Sequence, residues 1–118
     1  MAKYIVLYMV PVGAMDEMMK NATQEQKDAS MAEWMKWGEA HKGEITDMGM
    51  PLGKNKRVTT AGVEDVRNEL GGYSFVEADS HEAAAAVFAD SPHLQMPGAY
   101  IEVVECVVMP GMEGGNTQ

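Results

Sequence analysis

Residues 71–86 read GGYSFVEADSHEAAAA, and within this run the composition changes from strand-forming to helix-forming residues. Its first part, residues 72–78, is rich in aromatic and β-branched side chains, which favours a strand. Asp79 and Ser80 are helix-capping residues, and Glu82 follows Asp79 by three positions. Four consecutive alanines are strong helix formers, and Ser91-Pro92 ends the pattern. The stretch therefore predicts a strand followed directly by a helix over residues 81–89.

A second strand–helix unit is predicted in the first half of the chain. Residues 3–10 have the composition of a strand whose two faces are both apolar. Thr23 and Gln26 fit a capping box, which opens a helix that runs to about Lys42. We expect one stripe at helical spacing on this helix, formed by Met31, Trp34, Met35 and Gly38 and widened by Trp37 and His41. Residues 14–22 fit either a short helix or a mobile loop.

The remaining segments complete an α+β pattern. Strands are predicted over residues 45–52, 57–60 and 99–109, with a loop or helical turn over 62–71. The order β-α-β, insert, β-α-β is typical of a ferredoxin-like protomer, in which helices cover only one face of the sheet. Because the first and last strands are apolar on both faces, we expect a second copy to cover the other face in a homodimer. Residues 1–110 are expected to form one domain and 111–118 a flexible tail.

Composition and charge limit the partners and the compartment. The 118 residues carry a formal net charge of -9, which argues against tracking of nucleic-acid phosphates and against docking on an anionic membrane. Cys106 is the single cysteine, so no intrachain disulfide can form. The sequence shows neither a secretion signal nor an apolar run that spans a bilayer. We therefore expect a cytoplasmic protein with no nucleic-acid or membrane partner.

Three stretches resemble the YCII-related family, which includes the DGPF subgroup. They are residues 68–83 (NELGGYSFVEADSHEA), the ending Ser91-Pro92-His93 with Gly98 and Ile101-Glu102-Val103, and the opening strand KYIVLY at 3–8. The resemblance covers residues 3–109; it is strongest in 68–103 and weak in 11–66. The DGPF tetrapeptide itself is absent, since the matching residues 61–64 read AGVE.

The resemblance implies a dimeric α/β barrel and a small-molecule site. The family is largely uncharacterised, but some members are dehalogenase-like or lactone-processing enzymes, and a His–Asp pair has been proposed as their active site. Asp90 is the match to the family aspartate, with Ser91 interposed before the proline. The family histidine falls where this chain carries Trp34 and Trp37, and the nearest histidine is His41.

The candidate catalytic residues are His93, Asp90 and Glu102. His93 follows Ser91-Pro92 in a predicted loop, where an imidazole can act as a general acid or base near pH 7. Asp90 is close enough in sequence to orient it. Glu102 interrupts an apolar strand, a setting suited to proton transfer. The alternatives are an exposed loop histidine and a cross-strand or cross-dimer pair of Glu102 with a base such as Lys3.

The candidate ligand-binding residues are mostly aromatic. Trp34, Trp37 and His41 are expected to line a pocket between the sheet and the first helix, and the hydroxyls of Tyr8 and Tyr73 can bind a ligand. Structural roles in the core or at a sheet edge are the alternative for each. Seven of the twelve methionines fall in residues 15–50, either as an adaptable core or as a distinctive pocket wall.

Charged and metal-binding patterns are few. Lys54, Lys56 and Arg57 form a cationic patch, either an attractor for an anionic substrate or a solvated hairpin tip. His41, His81 and His93 lack metal-ligand spacing, and no nucleotide-binding loop follows a strand. We therefore predict no metal and no cofactor.

Three functions fit these observations. The leading hypothesis is a small cofactor-free enzyme that acts on a small organic molecule by His/carboxylate acid–base chemistry. The second is a non-catalytic homodimer that binds a small ligand or regulates another process. The third is a cofactor-free monooxygenase of the dimeric α/β barrel type.

Overall fold

The structure is a computed structural model that describes residues 2–109, so the predicted tail at 111–118 lies outside the described residues. In chain order the elements are β1 (Ala2–Met9), α1 (Ala14–Asn21), α2 (Gln24–Ala40), β2 (Ile45–Asp47), β3 (Asn55–Thr59), β4 (Gly62–Val66), β5 (Leu70–Ala78), α3 (His81–Ala86), a 3₁₀ helix (Pro92–Gln95) and β6 (Tyr100–Glu105).

Four strands form one antiparallel sheet in the order β2-β5-β1-β6. Strands β3 and β4 form a separate two-stranded hairpin. The predicted α+β class is therefore confirmed. Within residues 2–109 the sheet does not close into a barrel, because β2 and β6 remain as edges. None of the helices described there has the length and apolar character needed to cross a bilayer.

The two faces of this sheet differ in their cover. Even-numbered residues of β1 and β5 point toward the helices and are buried: Tyr4, Val6, Tyr8, Ser74, Val76 and Ala78. We call this side the covered face. The other side, the open face, carries Phe75, Ile5 and Val104 in one row across β5, β1 and β6. The protein measures 48 × 45 × 21 Å, and the thin dimension accommodates one sheet and one helical layer.

The predicted capping box is present at the start of α2. The Gln26 backbone N–H donates to Thr23 Oγ1 at 3.1 Å, and the Thr23 N–H donates to Gln26 Oε1 at 2.9 Å. The helix ends at Ala40, slightly earlier than predicted. The ambiguous segment before it forms α1, whose acidic first turn and Lys20 in the last turn suit the helix dipole.

The two methionines of the predicted stripe on α2 do not belong to the core. Met31 and Met35 are 61% and 68% exposed, and Trp37 is the buried residue of the helix. The reason is that α2 packs on the sheet through Trp34 and Trp37. At about 100° per residue, Met35 lies on nearly the opposite side of the helix from Trp37. The methionines therefore form a surface rather than a core at this helix.

One strand, β4, was not predicted, and two strands, β2 and β6, are shorter than predicted. Strand β4 forms where a loop or helical turn was expected, because its backbone pairs with β3 in an antiparallel hairpin. Lys56–Asp65 and Arg57–Glu64 ion pairs lie across this hairpin at 2.5 and 3.4 Å. Strand β2 is short because Gly49 adopts a positive φ of 70° and its N–H bonds to the Asp47 side chain. Strand β6 ends at Glu105, although the apolar pattern continues to residue 109.

Candidate functional site

Three of the predicted site residues meet at the C-terminal end of α2. The indole N–H of Trp37 donates to Asp90 Oδ1 at 2.9 Å. His41 Nε2 lies 3.5 Å from the same oxygen. The rings of Trp37 and His41 are 5.0 Å apart. Asp90 is therefore shared by an indole and an imidazole.

Local sequence explains this arrangement. Trp37 and His41 are four positions apart, so they lie on the same side of a helix. His41 ends α2, and its N–H donates to the carbonyls of Trp37 and Gly38. On the other side, Asp90 lies between Phe88 and Ser91, which are 2% and 3% exposed. The buried neighbours fix the backbone of Asp90 while its carboxylate stays 74% exposed.

The electrostatics of this cluster favour a charged carboxylate. The hydrogen bond from Trp37 is the main cause that holds the pKa of Asp90 below its ordinary value, and the positive charge of a protonated His41 acts in the same direction. Glu44 Oε1 lies 3.6 Å from the other ring nitrogen, Nδ1. The imidazole thus lies between two carboxylates. It can accept a proton and give it back, and the carboxylates stabilise the positive charge that it carries in between.

His93 is placed differently from its prediction. It is only 4% exposed, and because a carbonyl can only accept, its Nε2 donates to the Met9 carbonyl at 2.9 Å. The structure does not bring His93 and Asp90 together. Pro92 begins a 3₁₀ helix that directs His93 inward, whereas Asp90 contacts Trp37 and His41.

The aromatic residues expected to line a pocket contact one another instead. The Tyr8 ring lies 5.4 Å from both Trp34 and His93 and 6.2 Å from Phe88. The Tyr8 hydroxyl donates to Ser74 Oγ at 2.9 Å, since the Ser74 proton is donated to the Met48 carbonyl. Burial raises the pKa of Tyr8. The covered face at Tyr8 is consequently filled by protein side chains.

Glu102 and Tyr73 lie on the open face. Both are opposite Leu7, Glu102 from β6 and Tyr73 from β5. His93 and Tyr8 belong to the covered face. The predicted set of His93, Asp90 and Glu102 is therefore divided between the two sides of the sheet and does not surround one cavity.

Two cavities lie at the base of the β3–β4 hairpin. One has a volume of about 150 Å³ and is lined by Leu52, Gly53, Lys54, Asn55, Asn68 and Leu70. A second, of about 600 Å³, is lined by Lys54, Asn55, Lys56 and Asp65. The predicted cationic patch includes Lys54 and Lys56, which line these cavities. Asn55 and Asn68 belong to no recognisable sequence motif, so they were not singled out from the sequence. Across residues 2–109, no group of three or more His, Cys, Asp or Glu side chains is arranged to hold a metal ion.

The chain has a similar fold among solved structures. No family model matches the chain, and no curated protein matches it. Among solved structures, it is similar to 5-chloro-2-hydroxyhydroquinone dehydrochlorinase (TftG) from Burkholderia phenoliruptrix AC1100, in complex with 2,5-dihydroxybenzoquinone. The identity is 15% and the TM-score 0.48, over 85% of this chain and 90% of that chain. At these values the likeness assigns no role to any residue of this chain, and the candidate site remains the one built by Trp37, His41 and Asp90.

Proposed function

We propose that the protein is a small cofactor-free enzyme that acts on a small organic molecule by acid–base chemistry. The approach of His41 Nε2 to Asp90 Oδ1, at 3.5 Å, is the observation that carries this proposal. It keeps Asp90 from the predicted set and replaces His93 with His41. It also agrees with the His–Asp pair that the resemblance to YCII-related proteins implies.

The cluster suggests a division of labour. Asp90, held by Trp37, orients the imidazole through Nε2, which leaves Nδ1 as the atom that exchanges a proton. Nδ1 takes a proton from a C–H or O–H group of the substrate, whose electron pair stays on the substrate. The imidazolium is stabilised by Asp90 until the proton returns to the product. Glu44, whose side chain is 49% exposed, must give way to the substrate at Nδ1.

A probe reaction tests the base without knowledge of the natural substrate. In the ring opening of 5-nitrobenzisoxazole, a base removes the proton on carbon, the N–O bond breaks and a coloured phenolate forms. We expect saturable turnover that falls at least ~10-fold in His41→Ala and in Asp90→Asn, since a positioned base contributes ~10²–10⁴-fold. His81→Ala is the matched control, because His81 bonds to the Val103 carbonyl and not to this cluster. Equal rates in all four proteins would refute the role of His41.

The alternative functions have distinct tests. A cofactor-free monooxygenase would consume oxygen when supplied with a hydroquinone, whereas the proposed enzyme would not. A non-catalytic binding protein would bind a ligand but turn over no substrate. The proposed His41–Asp90 pair predicts turnover without oxygen consumption.

We further propose that a second copy of the chain covers the open face, giving the dimeric α/β barrel. The support is the apolar row of Phe75, Ile5 and Val104, in which Val104 is 44% exposed. A sheet in a stable domain buries its apolar faces against another layer. We expect light scattering to give the mass of a dimer, and Val104→Lys to give that of a folded monomer. Met31→Lys, at an exposed position of α2, is the control that stays dimeric.

A further inference from the structure

The segment of residues 54–67 differs in charge from the rest of the chain. It contains four of the nine Lys and Arg residues and two of the eighteen Asp and Glu residues. Its net charge is therefore +2 within a chain of -9. An anion is repelled less by this segment than by the acidic remainder of the chain.

Most of these cations are already neutralised by a carboxylate. Lys56 pairs with Asp65 and Arg57 with Glu64 across the hairpin. Arg67 reaches Asp16 on α1 at 2.6 Å. Lys54 is the cation of this segment that has no acidic partner within the part of the chain that the structure describes.

Lys54 lines the 150 Å³ cleft together with the amide residues Asn55 and Asn68. Asn68 accepts the Leu70 N–H at 3.1 Å through Oδ1, which leaves its amide N–H groups as donors. The Asn55 side chain is bonded to no residue of the described range. None of the six lining residues is acidic, and Leu52 and Leu70 supply an apolar surface.

We propose that this cleft binds a small monocarboxylate with an apolar body. One unpaired ammonium group balances one negative charge, and the amide donors can bond to the two carboxylate oxygens. The cleft has a volume of about 150 Å³ and is open to solvent, so it can take one small ring such as that of benzoate. The apolar body lies against Leu52 and Leu70.

The cleft is separate from the His41–Asp90 site. Leu70 lines the cleft, whereas Val76 of the same strand pairs with Ile45, whose N–H bonds to the His41 carbonyl. Six residues of strand separate the two positions by ~20 Å. Binding at the cleft is therefore independent of catalysis at His41, and each proposal can fail without the other.

Titration of the full chain with benzoate, followed by amide chemical shifts, tests the proposal. We expect shifts at Leu52, Gly53 and Leu70, millimolar affinity, and no comparable binding of the uncharged isostere benzamide. Lys54→Met should weaken binding at least ~10-fold. Asn68→Asp should do the same, because it keeps the acceptor for the Leu70 N–H and places a negative charge at the cleft.

Lys36→Met is the matched control, since it removes the same charge from α2 and does not line the cleft. Retained affinity in this control, with loss in the two cleft variants, supports the site. Unchanged benzoate affinity in Lys54→Met overturns it. Equal binding of benzamide, or no shift at the three lining residues, also overturns it.

Discussion

The two faces of the central sheet are made by alternate residues of the same strands, yet they have opposite fates. On the covered face Val6 and Val76 are fully buried and Tyr8 is hydrogen-bonded. On the open face Val104 is exposed and Leu7 lies beside Glu102. The difference shows that one chain provides a helical cover for half of its apolar strand surface. The covered face should determine folding, and the open face should determine association.

Substitution of adjacent residues gives the largest expected effect. Val6→Asp buries a carboxylate with no partner, which costs more than ~4 kcal/mol and should unfold the domain. Leu7→Lys faces the other way, opposite Glu102, and should keep the fold while weakening dimerisation. Circular dichroism and light scattering separate the two outcomes. If Leu7→Lys also unfolds the protein, the distinction between the faces is incorrect.

Removal of His93 sharpens the covered side of the comparison. His93→Ala leaves the Met9 carbonyl without its partner in a buried setting, so the free energy of unfolding should fall by ~1–3 kcal/mol. His81→Ala removes an exposed ring and should cost less than ~1 kcal/mol. Chemical denaturation measures both. A turnover of 5-nitrobenzisoxazole that disappears in the folded His93→Ala protein would return His93 to the catalytic set.

The two tyrosines test the faces by loss of one hydroxyl. Tyr8→Phe removes a buried hydrogen bond to Ser74 and should lower the free energy of unfolding by ~1 kcal/mol. Tyr73→Phe should have almost no effect, because the Tyr73 hydroxyl bonds to no residue in 2–109. Burial raises the pKa of Tyr8 above 10.0, so the stability it contributes is present below pH 10.0 and lost as the pH rises through the folded-state pKa. The difference between wild type and Tyr8→Phe should therefore shrink in alkaline solution.

The smallest expected effect comes from the exposed carboxylate of Asp90. The pKa of Asp90 is lower in the folded state than its ordinary 3.8. Its contribution to stability is therefore present above pH 3.8 and lost as the pH falls through the folded-state pKa. Asp90→Asn should lower the melting temperature slightly at pH 6, and the two proteins should converge in strong acid. A constant difference at every pH would show that the carboxylate charge is irrelevant.

Local signals predicted the parts of the fold that depend on local contacts. The capping box at Thr23 and Gln26 and the strand containing Phe75 are examples. Strand β4 was missed because its polar residues gain a strand partner only when β3 is placed beside them. Met31 and Met35 have helical spacing, but that spacing does not report which side of the helix meets the sheet.

The candidate site was predicted only in part for the same reason. Trp37, His41 and Asp90 were each singled out, but the 53-residue separation of Trp37 from Asp90 concealed their contact. Sequence proximity suggested His93 as the partner of Asp90, whereas the start of a 3₁₀ helix at Pro92 separates their side chains. Alternation along β6 did place Glu102 with Tyr100 and Val104, and the pairing with β1 then assigns all three to the open face.

The contact of Trp37 with both members of the pair has a spectroscopic consequence. A protonated imidazole quenches indole fluorescence by accepting an electron from the excited ring. The ring centres of Trp37 and His41 are 5.0 Å apart. The emission of Trp37 should therefore follow the protonation of His41. With Trp34→Phe removing the second indole, the protein carries its own optical indicator of the ionisation state of its candidate site.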